Sequence, residues 1–121
     1  MAQKSRLTMI ESGFDRTTEG NDMYAYAISF DMDTEMLRQV YPGESWNNAY
    51  SDIRAELESQ GFQWQQGSLY FGIGVDAVHT VLAAQRLAHA FPWFDECVRD
   101  IRMMRIEDNN DLMPAVRMAK R

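Results

Sequence analysis

The clearest pattern in the chain is an alternation of large and small residues from Tyr24 to Asp33. The large residues of this stretch are Tyr24, Tyr26, Ile28 and Phe30, and the small ones are Ala25, Ala27 and Ser29. A period of two predicts a β-strand with one bulky face and one flat face. Asp31 falls on the flat face, at the carboxyl end of this strand.

Two helical segments are predicted after this strand. Asp33 and Thr34 form a plausible N-cap, and a short helix over residues 34–41 ends before the break at Pro42-Gly43. Ser45 is the predicted N-cap of a second helix, which ends at Gly61. Its apolar positions recur every three or four residues, at Trp46, Ala49, Tyr50, Ile53 and Leu57. This spacing predicts an amphipathic helix.

A hairpin, a long helix and a last strand follow. Residues 62–65 and 68–71 are short aromatic-rich runs around Gln66-Gly67, which predicts a tight β-hairpin. A helix over residues 75–91, capped by Asp76, is stopped by Pro92. Residues 100–107 predict the last strand. Residues 112–121 predict a short basic helix with a kink at Pro114.

The order of these elements predicts the fold. A strand, a helix in two pieces, two strands, a helix and a strand form the α+β ferredoxin-like βαββαβ arrangement. Right-handed crossovers give an antiparallel four-stranded sheet in the order 4-1-3-2, with the helices on one face. The carboxyl end of strand one then lies beside the amino ends of strands three and four. We therefore expect Asp31, Ser68 and Asp100 at one edge of the sheet, with Arg99 and Arg102 nearby.

Composition narrows the class of protein. The chain has 121 residues, which is enough for one core. We predict a domain over residues 23–111, preceded by a flexible arm or added extension over 1–22 and followed by a basic tail over 112–121. No run is long enough to span a membrane. The single cysteine, Cys97, cannot form an internal disulfide, which favours a cytoplasmic protein.

The charge pattern argues against broad attraction to polyanions. The formal net charge is −6, which disfavours sequence-blind binding to nucleic acid or to an anionic membrane. Every basic residue between Met23 and Asp111 is an arginine, and three of them are Arg99, Arg102 and Arg105. Arginine suits both bidentate phosphate contacts and pairing with carboxylates inside a domain.

Several local patterns resemble known sites but have simpler explanations. Residues 72–77 fit G-x-G-x-x-A, yet the preceding strand is half of a hairpin, so they do not indicate dinucleotide binding. His79 and His89 lie on different faces of one helix, and no zinc spacing is present. Cys97 lacks a histidine nearby in sequence to activate it as a nucleophile. Four hairpin aromatics, some of which must belong to the core, are candidates for stacking on bases: Phe62, Trp64, Tyr70 and Phe71.

Four blocks of residues resemble one known family. They read MYAYAISFD from Met23, NNAYSDIR from Asn47, GFQWQQGSLYFG from Gly61, and FPWF followed by VRDIRMMRIE from Phe91. In this order and spacing they resemble the virulence-associated protein D (VapD) family, over about residues 23–111. The resemblance implies a ferredoxin-like homodimer, similar to the nucleases of CRISPR spacer adaptation. It also implies an endoribonuclease that cuts messenger RNA, in some members as the toxin of a toxin–antitoxin pair.

The resemblance also implies site residues. The family's first-strand aspartate matches Asp31, its hairpin serine matches Ser68 and its last-strand aspartate matches Asp100. One expectation is that Asp31 acts as general base on a ribose 2′-hydroxyl, with Arg99 or Arg102 stabilising the phosphorane and no cofactor required. The other is that Asp31 binds Mg²⁺, shared with a second Asp31 across a dimer axis.

Structural roles remain open for the same residues. Asp31 could cap the helix near Thr34 or pair with Arg102, Ser68 could close the hairpin turn, and Asp100 could be an arginine partner. The alternative function is a non-catalytic dimeric binding or scaffold module for a partner protein or nucleic acid. A regulator that covers the strand edge of a relative, like an antitoxin, is a further alternative.

Overall fold

The computed structural model describes residues 25–120, so the predictions for residues 1–22 lie outside the described residues. Nine elements follow one another along this part of the chain. They are β1 (Ala25–Met32), α1 (Thr34–Val40), α2 (Asn48–Ser59), β2 (Phe62–Gln66), β3 (Leu69–Ile73), α3 (Ala77–Ala90), α4 (Phe94–Cys97), β4 (Val98–Arg105) and α5 (Met113–Lys120).

The four strands form one antiparallel sheet in the order β2-β3-β1-β4. This is the predicted order 4-1-3-2 seen from the other edge, so the ferredoxin-like α+β fold is confirmed. The alternating strand is central, paired with β3 on one side and β4 on the other. Within residues 25–120, no helix is long and apolar enough to cross a membrane.

The bulky face of β1 forms the core together with the helices. Ile28, Phe30 and Met32 point to this side and are buried. The buried residues of α2 recur every four residues, at Ala49, Ile53 and Leu57, as the amphipathic pattern predicts. The buried stripe of α3 completes this layer with Thr80, Ala83 and Leu87. One layer of helices therefore packs on one face of the sheet.

The other face of the sheet is flat and partly apolar. Ala27 lies between Phe71 on β3 and Met104 on β4, and Ala25 lies opposite Ile73. Directly opposed residues share a face, so these side chains line the flat side together. Ile73 is 59% exposed and Met104 is 44% exposed.

Two predicted positions around the hairpin and α2 were wrong. Ser45 does not cap α2, because a turn over Trp46 and Asn47 comes first and the N-cap is Asn47. Ser68 does not begin β3, because the turn between the hairpin strands is Gly67-Ser68. Gly67 has a φ of 49°, which a residue without a side chain adopts at low cost.

The end of the chain also differs from the prediction. The short helix α4 was not predicted, and it leads directly into β4, which therefore begins at Val98 instead of Asp100. Pro114 is the second residue of α5, where a proline breaks no interior hydrogen bond, so the predicted kink was wrong.

Candidate active site

The structure brings the three predicted site residues to one edge of the sheet. Asp31 lies directly opposite Asp100 in the β1–β4 pair. On its other side, the Phe30 N–H donates to the Ser68 carbonyl oxygen at 3.2 Å. The Asp31 side chain is 66% exposed, so its carboxylate is open to a ligand.

A β-bulge places Arg99 beside Asp31. Asp31 pairs with Asp100 but the next residue, Met32, pairs with Val98, so Arg99 is an extra residue in β4. Bulges redirect side chains in this way. The Arg99 guanidinium lies between two carboxylates, with Nη1 4.0 Å from Asp31 Oδ2 and Nη2 3.7 Å from Asp33 Oδ1.

Arg102 is held by a different carboxylate. Its Nε lies 3.0 Å from each carboxylate oxygen of Asp100. Asp100 is therefore an arginine partner, as one interpretation of the sequence expected, and Arg102 does not pair with Asp31. Both residues are exposed and remain at the same edge.

Asp33, and not Asp31, caps the first helix. The Asp33 carboxylate accepts from the Met36 N–H at 3.1 Å, and its own N–H donates to the Cys97 carbonyl oxygen at 2.7 Å. The two structural roles considered for Asp31, a cap and a partner of Arg102, thus belong to Asp33 and Asp100. The exposed Asp31 carboxylate has neither role.

A cavity of about 440 Å³ opens beside Ser68. Its walls come from β1, the hairpin and the polar face of α2, and they include Phe30, Ser68, Tyr50, Arg54 and Trp64. The Arg54 guanidinium carbon lies 4.0 Å from the centroid of the Trp64 ring. The sequence analysis did not single out Arg54, although its spacing from Asn47 and Ser51 places the three on one helix face.

Two tyrosines report the surroundings of this cavity. Burial raises the pKa of Tyr50, and the nearby negative charge of Asp31 raises it further. Burial also raises the pKa of Tyr70, while a hydrogen bond from Arg54 acts in the opposite direction. The charge of Asp31 therefore acts on the α2 wall of the cavity, and Arg54 acts on the hairpin wall.

No group of three or more His, Cys, Asp or Glu side chains converges among residues 25–120 to hold a metal ion. Asp31 and Asp100 provide two facing carboxylates at most. A divalent cation at this edge would need further donors, such as those of a second copy of the chain.

The remaining candidates have structural explanations. A Cβ on Gly72 would lie 2.6 Å from Phe62 Cε2, so packing explains this glycine of the G-x-G-x-x-A pattern. His79 shares a hydrogen bond of 2.6 Å between its Nε2 and the Gln60 carbonyl oxygen. Cys97 is fully buried, and burial raises the pKa of its thiol. Phe62 and Tyr70 belong to the core, whereas Trp64 is 43% exposed.

The chain is similar to curated proteins over most of its length. It is 48% identical over 92 residues to Endoribonuclease VapD 2 of Riemerella anatipestifer, which covers 75% of this chain and 98% of that protein. It is 48% identical over 94 residues to an Endoribonuclease VapD homolog of Helicobacter pylori, covering 77% and 97%. Endoribonuclease VapD of Dichelobacter nodosus is 39% identical over 94 residues, covering 78% and 99%. No family model matches the chain.

Proposed function

The chain belongs to the endoribonuclease VapD family, and we propose that it cuts single-stranded RNA, such as messenger RNA, at the sheet edge that carries Asp31. The observation that supports this site best is the setting of Asp31. Its carboxylate is exposed and does not cap a helix, since Asp33 does so. Asp31 lies opposite Asp100, and its Oδ2 is 4.0 Å from Arg99 Nη1. An acid or base together with a cation is what phosphodiester cleavage requires.

In the proposed mechanism, Asp31 is the general base. It takes the proton of a ribose 2′-hydroxyl, and that oxygen attacks the adjacent phosphorus. The bond from phosphorus to the 5′-oxygen of the next nucleotide breaks, and this oxygen takes a proton from water. The products are a 2′,3′-cyclic phosphate and a 5′-hydroxyl. Arg99 stabilises the charge that develops on the phosphorane, since its contacts of 4.0 and 3.7 Å are looser than those of Arg102. Ser68 and Asp100 complete the edge, and Arg102 is a second candidate for phosphate contact.

A metal-assisted route is the alternative mechanism. Asp31 would bind Mg²⁺ together with Asp31 of a second copy, and the ion would activate water or stabilise the scissile phosphate. Where the ion activates water, the two routes differ in their products, because attack by water does not form a cyclic phosphate.

The proposal includes a homodimer that forms through the flat face of the sheet. The exposure of Ile73 and Met104 supports an interface there, because a contiguous apolar face on a monomer often marks a binding surface. The second candidate function is a non-catalytic dimeric binding or scaffold module. The net charge of −6 favours it, since a nuclease gains from phosphate attraction. RNA binding would weaken steeply with added salt, whereas protein pairing would not.

The proposal also includes a role as the toxin of a toxin–antitoxin pair in the cytoplasm, which is supported by the family resemblance alone. Induced expression in bacteria tests it. Wild type should slow growth and Asp31→Asn should not, and a cognate antitoxin protein should restore growth. Equal growth with both forms would remove the toxin role and leave the enzymatic role unaffected.

Cleavage of a labelled mixed-sequence RNA and its DNA counterpart tests the enzymatic role. Wild type, Asp31→Asn and the control Asp108→Asn, an exposed loop aspartate, would each be assayed with Mg²⁺ and with EDTA. We expect cutting of RNA only, kept in EDTA and in the control, and reduced at least about a hundredfold in Asp31→Asn. Loss in EDTA would assign Asp31 to the metal route. No RNA cutting by the folded wild type would favour the binding module.

A further inference from the structure

The cavity beside Ser68 is not used by the proposed reaction. Its volume of about 440 Å³ lies within the range of roughly 300–1,000 Å³ typical of small-ligand sites. It is too small for a duplex and suited to one nucleotide. One wall is the polar face of α2, and the facing wall is the β2–β3 hairpin.

The polar face of α2 is built for hydrogen bonding. Asn47, Ser51 and Arg54 follow at helical spacing, and Tyr50 lies beside them. The apolar face of the same helix is buried in the core, which fixes its rotation. The polar stripe is therefore held against the hairpin and presents amide, hydroxyl and guanidinium groups to the cavity.

Arg54 is a cation held in place by an aromatic ring. Its guanidinium lies over Trp64, and the Trp64 Nε1–H donates to the Gly67 carbonyl oxygen at 2.9 Å, which fixes the ring. Among the ion pairs of residues 25–120, none within 4.0 Å involves Arg54. A positioned arginine without a carboxylate in a salt bridge suits a phosphate, whose oxygens match its planar array of donors.

The cavity adjoins the proposed catalytic edge. Phe30 and Ser68 line it. Phe30 directly precedes Asp31 in β1, and its N–H donates to the Ser68 carbonyl oxygen. The charge of Asp31 also reaches Tyr50 on the opposite wall. An RNA strand with its scissile phosphate at Asp31 can therefore place a neighbouring nucleotide in this cavity.

We infer that the cavity between α2 and the hairpin is a nucleotide subsite, in which Arg54 binds a phosphate next to the scissile one. Asn47 and Tyr50 donate hydrogen bonds to phosphate and ribose oxygens, and the Ser51 oxygen, whose own hydrogen is donated to the Asn48 carbonyl oxygen, accepts from a ribose hydroxyl. The inference rests on the proposed function, because it takes the ligand to be the RNA strand. Because the chain is acidic, its net charge does not attract RNA. The subsite would supply this part of substrate binding through a local positive charge.

Binding of a short fluorescent 2′-O-methyl RNA, which cannot be cut through its 2′-oxygen, tests this subsite by anisotropy. Arg54→Ala should raise the Kd roughly tenfold to a hundredfold, the value of one lost charge-assisted hydrogen bond. The control Arg38→Ala removes a second arginine that lies on a tryptophan, with its guanidinium carbon 5.2 Å from the Trp46 ring centroid. It should change the Kd less than about threefold.

A second pair of variants tests the subsite independently, in case Arg54→Ala does not fold. Ser51→Glu places a negative charge in the cavity, and Ser59→Glu places one on the same helix outside it. Both serine hydroxyls donate to a carbonyl oxygen three residues earlier, so the pair is matched. Ser51→Glu should weaken binding at least about tenfold and Ser59→Glu much less. Equal binding by the two folded variants would overturn the inference.

The subsite and the catalytic proposal fail in different ways. Asp31→Asn should bind the uncut oligonucleotide at least as tightly as wild type does, because it removes a negative charge from the edge. If it also cuts RNA normally, the catalytic assignment is wrong while the subsite stands. If Arg54→Ala and Ser51→Glu bind normally while Asp31→Asn cuts nothing, the subsite is wrong while the catalytic assignment stands.

Discussion

At the scale of single residues, the candidate site consists of three carboxylates that pair with two arginines. Arg102 is held closely by Asp100, with its Nε 3.0 Å from both oxygens. Arg99 lies farther from its two partners, Asp31 and Asp33. Exposed pairs of this length contribute little to stability, so Arg99 can turn towards a phosphate at small cost.

This difference predicts unequal effects of the two arginines on catalysis. Arg99→Ala should lower kcat by about a hundredfold to a thousandfold, because it removes a group that stabilises the transition state. Arg102→Ala should act mainly on KM, by less than about tenfold. Steady-state kinetics on a defined RNA separates the two, and Arg99→Lys should restore part of kcat. A larger kcat loss in Arg102→Ala would reverse the assignment.

Tyr41 predicts a specific response to alkaline pH. Its hydroxyl donates to Asp52 Oδ2 at 2.5 Å, and this bond, with burial and the charge of Asp52, raises the pKa of Tyr41 to about 12. The unfolded pKa is about 10, so the folded state favours the protonated phenol. Its contribution to stability is full below about pH 10 and is lost as the pH rises through about 12.

Urea unfolding of wild type and Tyr41→Phe over this range measures that contribution. The difference in free energy of unfolding between them should shrink above about pH 10. Burial also raises the pKa values of Tyr50 and Tyr70, so both proteins should lose stability there, wild type more steeply. Parallel curves would show that the Tyr41–Asp52 bond has no such effect.

At the scale of elements, Gly72 shows how closely β3 packs against the Phe62 ring of β2 and against Val75. A Cβ there would lie 2.6 Å from Phe62 Cε2 and 2.9 Å from Val75 Cγ2. Gly72→Ala should therefore destabilise the fold by about 1–3 kcal/mol through overpacking. Gly67→Ala meets open space and changes only a turn at φ 49°, so thermal unfolding should show a cost of about 1 kcal/mol or less. A smaller cost for Gly72→Ala would contradict this explanation.

The elements that the sequence predicted well are those with a strong period. The alternation in β1 and the three-to-four spacing in α2 determine which face is buried, and the order of elements determines the sheet. That was enough to predict that Asp31, Ser68 and Asp100 meet at one edge. Their catalytic roles stay a prediction.

Other features depend on distances that periodicity does not contain. The bulge that redirects Arg99 is a one-residue mismatch between β1 and β4. The stacking of Arg54 on Trp64 joins a helix to a hairpin that the sequence separates by a turn. Ser68 was predicted in a strand but lies in the turn, because the connection between β2 and β3 is the two residues Gly67 and Ser68. Each of these three features becomes visible only in the packed structure.

At the scale of the whole molecule, the flat sheet face predicts how two copies associate. Ile73→Glu should give a monomer, because it buries a charge in the proposed interface. Val78→Glu alters an exposed apolar residue of α3 and should leave the dimer intact. Light scattering after size-exclusion chromatography distinguishes the two. A dimeric Ile73→Glu protein, or a monomeric wild type, would contradict a dimer through this face.

The chemistry of the cut ends tests the central claim most directly. A defined RNA oligonucleotide would be cut by wild type and by Asp31→Asn, and the products identified by mass spectrometry. A general base at Asp31 predicts a 2′,3′-cyclic phosphate and a 5′-hydroxyl from wild type only, and no cut at a position with a 2′-deoxyribose. A 5′-phosphate with a 3′-hydroxyl, or the same products from Asp31→Asn, would contradict it.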